Sequence, residues 1–357
     1  VADFLTLHEI VKKARENLDQ GAWDYLIGGA DTESALRRNR AGVESWLFKP
    51  RILNDVSQVA CGTELLGQSM RIPVIMPPIG SVQAFEAGGA GSVAKAADEF
   101  GILQVLSSVC TPDFETLATQ HPGPRVYQLY LTGDESWMDD IISRAIEAGY
   151  TGFCLTADTQ TYSRRERDIL KRYVPLSGRI AGGGDFKAQA AMTWDTVAHI
   201  KEKFALPLFI KGVGVAEDAR RCVEMGVDVV WVSNHGGRQL DHTRACIDAL
   251  PEVVEAVAGK VPVVVDGGFM RGADVVKALC LGATAVGMGR FEALALAAGG
   301  APALLTALQI LEHEIKTTMA LAGVNSLTQL TPDLLCRDAP LATSHVLSAF
   351  PFLSEGY

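Results

Sequence analysis

The sequence has no C-x-x-C pair, no excess of positive charge and no apolar run that reads as long enough to span a bilayer, and each shortage removes a class of function. Its seven cysteines, Cys61, Cys110, Cys154, Cys222, Cys246, Cys280 and Cys336, are odd in number and scattered. That spacing suits neither a disulfide framework nor a zinc site, and it predicts reduced thiols in a cytoplasmic protein without a bound metal. With 32 basic against 42 acidic residues the formal charge is −10, which argues against nucleic acid as the main partner, because backbone phosphates need a net basic face. No signal peptide is evident, and no membrane segment is expected.

What is present is core-forming material. Hydrophobic residues make up 48% of the 357-residue chain and charged residues 21%, a balance that excludes general disorder. Apolar residues at helical spacing predict an amphipathic helix over Leu5–Leu18 and a second around Trp23–Ile27, ended by Gly28-Gly29-Ala30. Residues 48–67 read as irregular, with Pro50 and one short strand-like stretch. Eight short apolar runs then recur without polar alternation, the mark of parallel strands covered on both faces. They are Pro73–Pro77, Leu103–Leu106, Val126–Tyr130, Gly152–Thr156, Leu208–Lys211, Val229–Ser233, Val263–Asp266 and Ala285–Met288. Helix-length segments such as Gly91–Phe100 and Ala216–Met225 separate them. The pattern predicts an α/β fold, a (β/α)8 TIM barrel with an N-terminal helical extension; an open doubly wound sheet is the alternative. One domain is expected, with a cap over about residues 1–70, a barrel over about 71–330 and a tail beyond. Between Arg167 and Trp194 the Gly- and charge-containing insertion centred on Gly182-Gly183-Gly184 reads either as a short active-site lid or as a surface connection.

Active sites of such barrels gather at the C-terminal ends of the strands. The residues there are polar at nearly every station: Gly80-Ser81, Ser107-Ser108, Gln128 and Tyr130, Thr156 and Asp158, Lys211, Ser233-Asn234-His235, Asp266-Gly267-Gly268, and Gly289-Arg290. A ring of polar groups is costly unless a polar ligand fills it. The last two stations follow strands seven and eight, where barrels bind phosphate on backbone N–H groups, and Arg290 adds a charge-assisted donor. The sixth station, Ser233-Asn234-His235-Gly236-Gly237-Arg238, puts a base and a cation into one loop. Histidine has the titration range of a general base, and arginine can hold a carboxylate bidentately.

Taken with Trp23-Asp24-Tyr25, Leu106-Ser107-Ser108, Tyr127-Gln128-Leu129-Tyr130, Leu155-Thr156-Ala157-Asp158, Arg164-Arg165-Glu166 and Ile210-Lys211-Gly212, this loop resembles the FMN-dependent 2-hydroxy-acid oxidases and dehydrogenases. That family includes glycolate oxidase, lactate oxidase and membrane-bound mandelate dehydrogenase, and the resemblance runs from about Leu7 to Leu327. It implies that His235 is the base, that Asp158 hydrogen-bonds it, and that Arg165 and Arg238 clamp the carboxylate of a 2-hydroxy acid with a hydroxyl from Tyr25. Tyr130 would bond the substrate hydroxyl. Pro78, Ile79, Gly80, Ser107, Gln128, Thr156, Lys211 and Ser233 would hold the FMN ring and its chain. Asp266, Gly267, Gly268, Met270, Gly289 and Arg290 would complete the cofactor site. Oxygen, a quinone or a protein would accept the electrons, and a homotetramer or octamer is implied.

The chain also departs from the family. Met270 stands where an arginine is usual, with Arg271 next, so Arg290 and the glycines are expected to carry more of the phosphate. Val109 and Tyr162 differ from glycolate oxidase on the substrate side, the insertion after Arg167 is shorter, and Gly80 replaces the alanine of several oxidases. These positions leave open an atypical larger substrate (an aryl hydroxy acid, a peptide-derived product or an amine). A non-catalytic flavin-binding scaffold is the alternative from another class.

Overall fold

The computed structural model describes residues 4–175 and 186–356. Thr6 caps the first helix, α1 (Leu7–Asn17), by accepting from the Glu9 N–H while the Glu9 side chain returns the bond, a reciprocal arrangement that satisfies otherwise orphaned donors. Two further helices follow, α2 (Gln20–Ile27) and α3 (Ser34–Glu44), then strand β1 (Trp46–Phe48) and the hairpin β2 (Thr63–Leu65) and β3 (Gln68–Met70). Helix α3 is not evident in the sequence because its inward face carries Asn39 and Arg40, both buried, in place of a full apolar stripe. β1 pairs antiparallel with β12 (Leu335–Arg337) of the C-terminal tail.

The eight apolar runs form eight strands: β4 (Val74–Ile75), β5 (Gln104–Ser107), β6 (Arg125–Leu129), β7 (Gly152–Thr156), β8 (Leu208–Val213), β9 (Val229–Val232), β10 (Val263–Val265) and β11 (Ala285–Gly287). Their order is β4-β11-β10-β9-β8-β7-β6-β5, and a parallel bridge between Met76 and Gln104 joins the two ends. The sheet is therefore a closed barrel, not an open doubly wound sheet. Helices such as α4 (Gly89–Phe100), α5 (Phe114–Gln120) and α6 (Glu135–Glu147) cross between strands on the outside.

Side chains alternate along a strand, so the barrel interior can be read in layers. Ile75, Val105, Val126, Cys154, Phe209, Trp231, Val264 and Ala285, one from each strand, belong to a single buried cluster. Two residues further along stand Pro77, Ser107, Gln128, Thr156, Lys211, Ser233, Asp266 and Gly287. The apolar layer is a packed floor, and the polar layer above it is the mouth.

One expectation fails on length. The helix Gly289–Leu321 has 33 residues and is long and apolar enough to cross a membrane, but 67% of its most apolar stretch is buried. It packs against α1 and α4 and breaks at Gly299-Gly300, where Gly300 has φ 66°. Its hydropathy is accounted for by the core. The insertion after Arg167 contains a short helix, α7 (Glu166–Lys171), and another over Lys187–Ala190. Its triple-glycine centre lies outside the described residues.

Candidate active site

The mouth of the barrel opens into a cavity lined by Tyr25, Pro78, Ile79, Gly80, Tyr130, Arg165, Lys211, His235, Arg238, Asp266, Gly267, Gly268, Met270, Gly289 and Arg290. The barrel thus gathers residues spread over most of the chain. Ser107, Gln128, Thr156 and Ser233 are buried just behind that surface.

His235 sits in the left-handed region at φ 57°, a conformation unfavourable for a residue with a Cβ. Its backbone N–H donates to Ser233 Oγ at 3.0 Å, and its Nδ1 lies 2.9 Å from Asp158 Oδ1. Thr159 Oγ1 is 3.2 Å from the same nitrogen. With Nδ1 committed, Nε2 is the ring nitrogen left for chemistry. Burial pushes the imidazole below its ordinary value, and Asp158 only partly offsets this. Burial pushes Asp158 up, but His235 and Lys211 outweigh it and hold the carboxyl below the usual range. The pair is a neutral base oriented by a carboxylate at neutral pH.

Three guanidinium groups, Arg165 buried and the other two half-buried, face the same space. Arg165 lies 4.6 Å over the Tyr162 ring and donates to the Tyr162 hydroxyl at 3.1 Å. Arg238 lies 4.8 Å over the Tyr25 ring and donates to the carbonyls of Tyr25 and Gly28. Arg290 donates to the carbonyls of Leu26, Gly28 and Gly236. Among the described residues, all the hydrogen bonds of these groups run to hydroxyl or carbonyl oxygens and none to a carboxylate. Burial and the neighbouring Arg238 push Arg290 down to about 9, and burial with Arg165 pushes Arg238 down as well. Cations crowded together in a desolvated mouth, with no carboxylate hydrogen-bonded to them among the described residues, are what an anionic ligand relieves.

On the opposite wall, Lys211 Nζ is 3.0 Å from Asp266 Oδ2 and 2.8 Å from Ser233 Oγ, which in turn donates to Asp266 Oδ1 at 2.7 Å. Burial would lower the lysine, but Asp266 and Asp158 more than offset it and keep the ammonium charged. Nearby, both amide atoms of Gln128 and the hydroxyl of Thr156 are buried without a hydrogen-bond partner among the described residues. Such orphans at a cavity wall fit the polar edge of a flavin ring. At the other end the Gly289–Leu321 helix begins without a side-chain cap, so its first N–H groups and Arg290 suit a phosphate. The residues fit FMN.

Three positions singled out in the sequence also have partners that the sequence did not show. The Tyr25 hydroxyl donates to the Gly80 carbonyl at 3.1 Å, so Tyr25 serves here as the platform under Arg238. The missing Cβ atoms of Gly267 and Gly268 face Asn39 and Cys246; these glycines let α3 press against the barrel rim. Arg271, beside Met270, is paired with Glu314, its Nε 2.9 and 3.1 Å from the two carboxylate oxygens. Sequence reasoning also missed Thr159, Phe85, Thr132, Phe186, Ala293 and Val346. Adjacency to Asp158 could have suggested Thr159, whereas the other five line the cavity without a motif, Ala293 from the Gly289–Leu321 helix and the rest from separate loops.

Residues 14–337 match the model of the FMN-dependent dehydrogenase family. A peroxisomal (S)-2-hydroxy-acid oxidase of Oryza sativa subsp. japonica is 39% identical over 345 residues, covering 92% of this chain and 94% of the relative. Glycolate oxidase of Spinacia oleracea is 35% identical over 360 residues, covering 94% and 96%. Among solved structures, a mandelate oxidase with 3,3-difluoro-2-hydroxy-3-phenylpropionic acid superposes with a TM-score of 0.86 at 33% identity, covering 95% of this chain and 100% of that one. A chimera of (S)-mandelate dehydrogenase gives a TM-score of 0.86 at 33% identity, covering 92% and 98%.

Proposed function

This chain belongs to the FMN-dependent dehydrogenase family, and from that premise we propose that it oxidises an (S)-2-hydroxy acid to the 2-oxo acid with His235 as base. The observation that carries the reading is the meeting of the His235–Asp158 pair with Arg165 and Arg238 in one cavity. A carboxylate held between the two guanidinium groups brings the neighbouring α-carbon and hydroxyl toward His235. Nε2 of His235 takes one proton from the substrate, and Asp158 stabilises the imidazolium that results. The Tyr130 hydroxyl, which burial pushes well above its ordinary range, stays protonated and donates to oxygen as charge develops there. FMN, when bound, would take the two electrons together with the second hydrogen, so that the 2-oxo acid, the imidazolium and the reduced flavin balance.

The rest of the lining bears on side-chain preference. Phe85, Ile79, Val109, Ala293 and Phe186 surround the cavity with apolar surface, which favours a large aliphatic or aryl hydroxy acid over a two-carbon one. Oxygen is the proposed acceptor, in keeping with the oxidases among the relatives. A cytoplasmic location and a tetramer or octamer belong to the same proposal; light scattering of the purified protein tests the assembly.

Anaerobic mixing of the FMN-loaded protein with a panel of 2-hydroxy acids tests the activity. The flavin absorbance is expected to bleach fastest with large apolar (S)-substrates and to return on admitting air. Persistence of the yellow colour with every member of the panel overturns the reading, and bleaching that air does not reverse overturns oxygen as acceptor.

A further inference from the structure

The largest fully buried side chain is Trp231, and its place in the barrel is more specific than core filling requires. It is the direct neighbour of Lys211 across the β8–β9 ladder, and Lys211 Nζ lies 5.4 Å from the centre of its ring. On β11 the facing position is Gly287, where a Cβ would come within 3.0 Å of the indole Cζ2. Gly287 itself lines the cavity. The indole therefore lies in the floor, one layer below the polar mouth, under the ammonium that bridges Ser233 and Asp266.

Volume alone does not explain the residue. The indole Nε1 is buried with no hydrogen-bond partner among the described residues, a cost that phenylalanine or leucine would avoid. What an indole offers in exchange is the strongest face among side chains for a desolvated cation. We propose that Trp231 is a positioning residue for Lys211. Its face holds the ammonium from below, completing a setting whose sides are Ser233 and Asp266, and so sets how strongly the flavin of the loaded protein accepts electrons. The Ser233 hydroxyl that accepts from Lys211 also accepts from the His235 N–H, so the same support reaches the loop that carries the base. The inference rests on the cofactor site but on no particular substrate.

The test uses FMN-loaded Trp231→Phe and Trp231→Leu, titrated with sulfite, an anionic nucleophile that bleaches electron-poor flavins. Trp231→Leu is expected to weaken sulfite binding by roughly tenfold, with Trp231→Phe between it and the parent, as for loss of a buried cation–π contact. The midpoint potential should fall in the same order. Packing is separated from electronics by incorporating fluorotryptophan, which keeps the ring's shape and weakens its face. Fluorination should loosen sulfite in the parent and leave it unchanged in Trp231→Phe. The same sulfite affinity in the fluorinated and ordinary parent overturns the assignment, whatever the leucine variant does, including failing to fold. A protein that shows the expected ranking yet is reduced by no 2-hydroxy acid refutes the proposed substrate and leaves Trp231 in place. Failure to bind FMN at all overturns both.

Discussion

His235 carries an unfavourable backbone conformation and a costly buried ring, and its surroundings hold it there from two sides. The Ser233 hydroxyl takes its N–H, and Asp158 takes its Nδ1. In His235→Ala the FMN site, built mostly from other strands, is expected to stay filled. Anaerobic reduction by substrate should slow by about 10²–10⁴-fold in stopped flow, as for loss of a general base; a near-normal rate would sink the assignment. The pH dependence follows from burial, which places the imidazole below its ordinary value of 6.5. The neutral base then persists through neutral pH, so kcat/KM should be level there and fall only on the acid side, through that lowered value. The folded state also disfavours this proton. The group's stability contribution is thus present above its unfolded value and is lost as pH drops below it. Asp158→Asn removes the influence that raises His235, so the acid limb should move to still lower pH. A limb displaced upward in the pH–rate profile would contradict the pairing.

At the scale of elements, β8 shows how a strand aims a side chain. Its pairing with β9 shifts register between Lys211 and Val213, and Gly212 between them has φ 116°. A Cβ there would lie 2.7 Å from both the Cβ and the backbone N of Asp158. Gly212→Ala should therefore displace Asp158 from His235, lowering kcat/KM by at least about tenfold and stability by about 1–3 kcal/mol. Gly214, whose Cβ would meet nothing within 4 Å, supplies the control. If Gly212→Ala behaves like Gly214→Ala in steady-state kinetics and thermal melts, the close approach has no consequence. Elements also differ in how far the sequence announces them. The barrel strands read clearly because parallel strands buried on both faces are short apolar runs. Helix α3 did not, because Asn39 and Arg40 occupy its inner face and take partners far away in the chain, Asn234 for one and Asp274 for the other.

Closure of the barrel makes a chain of net charge −10 concentrate Arg165, Arg238 and Arg290 in one buried mouth. Repulsion among them is a standing cost of the unliganded fold, which an anion removes. FMN should accordingly raise the melting temperature, by an amount worth about 2.7 kcal/mol at a hundredfold excess over Kd. Inorganic phosphate should stabilise the flavin-free protein more than chloride at equal ionic strength. Riboflavin, lacking the phosphate, should stabilise less than FMN; equal effects in calorimetry would remove Arg290 and the adjoining helix N-terminus from the cofactor site.

The sequence by itself determined the architecture and the chemical identity of the site. Strand composition, helix spacing and polar residues at strand ends are local properties, and the His235–Arg238 loop lies within a few residues. What only the tertiary structure decided is which groups complete one another across strands far apart in the chain. Thr159 beside His235, Tyr25 beneath Arg238, Arg271 drawn away to Glu314 and Trp231 beneath Lys211 depend on through-space distances. Those distances are set by barrel closure and layer packing, which leave no periodic trace in the chain.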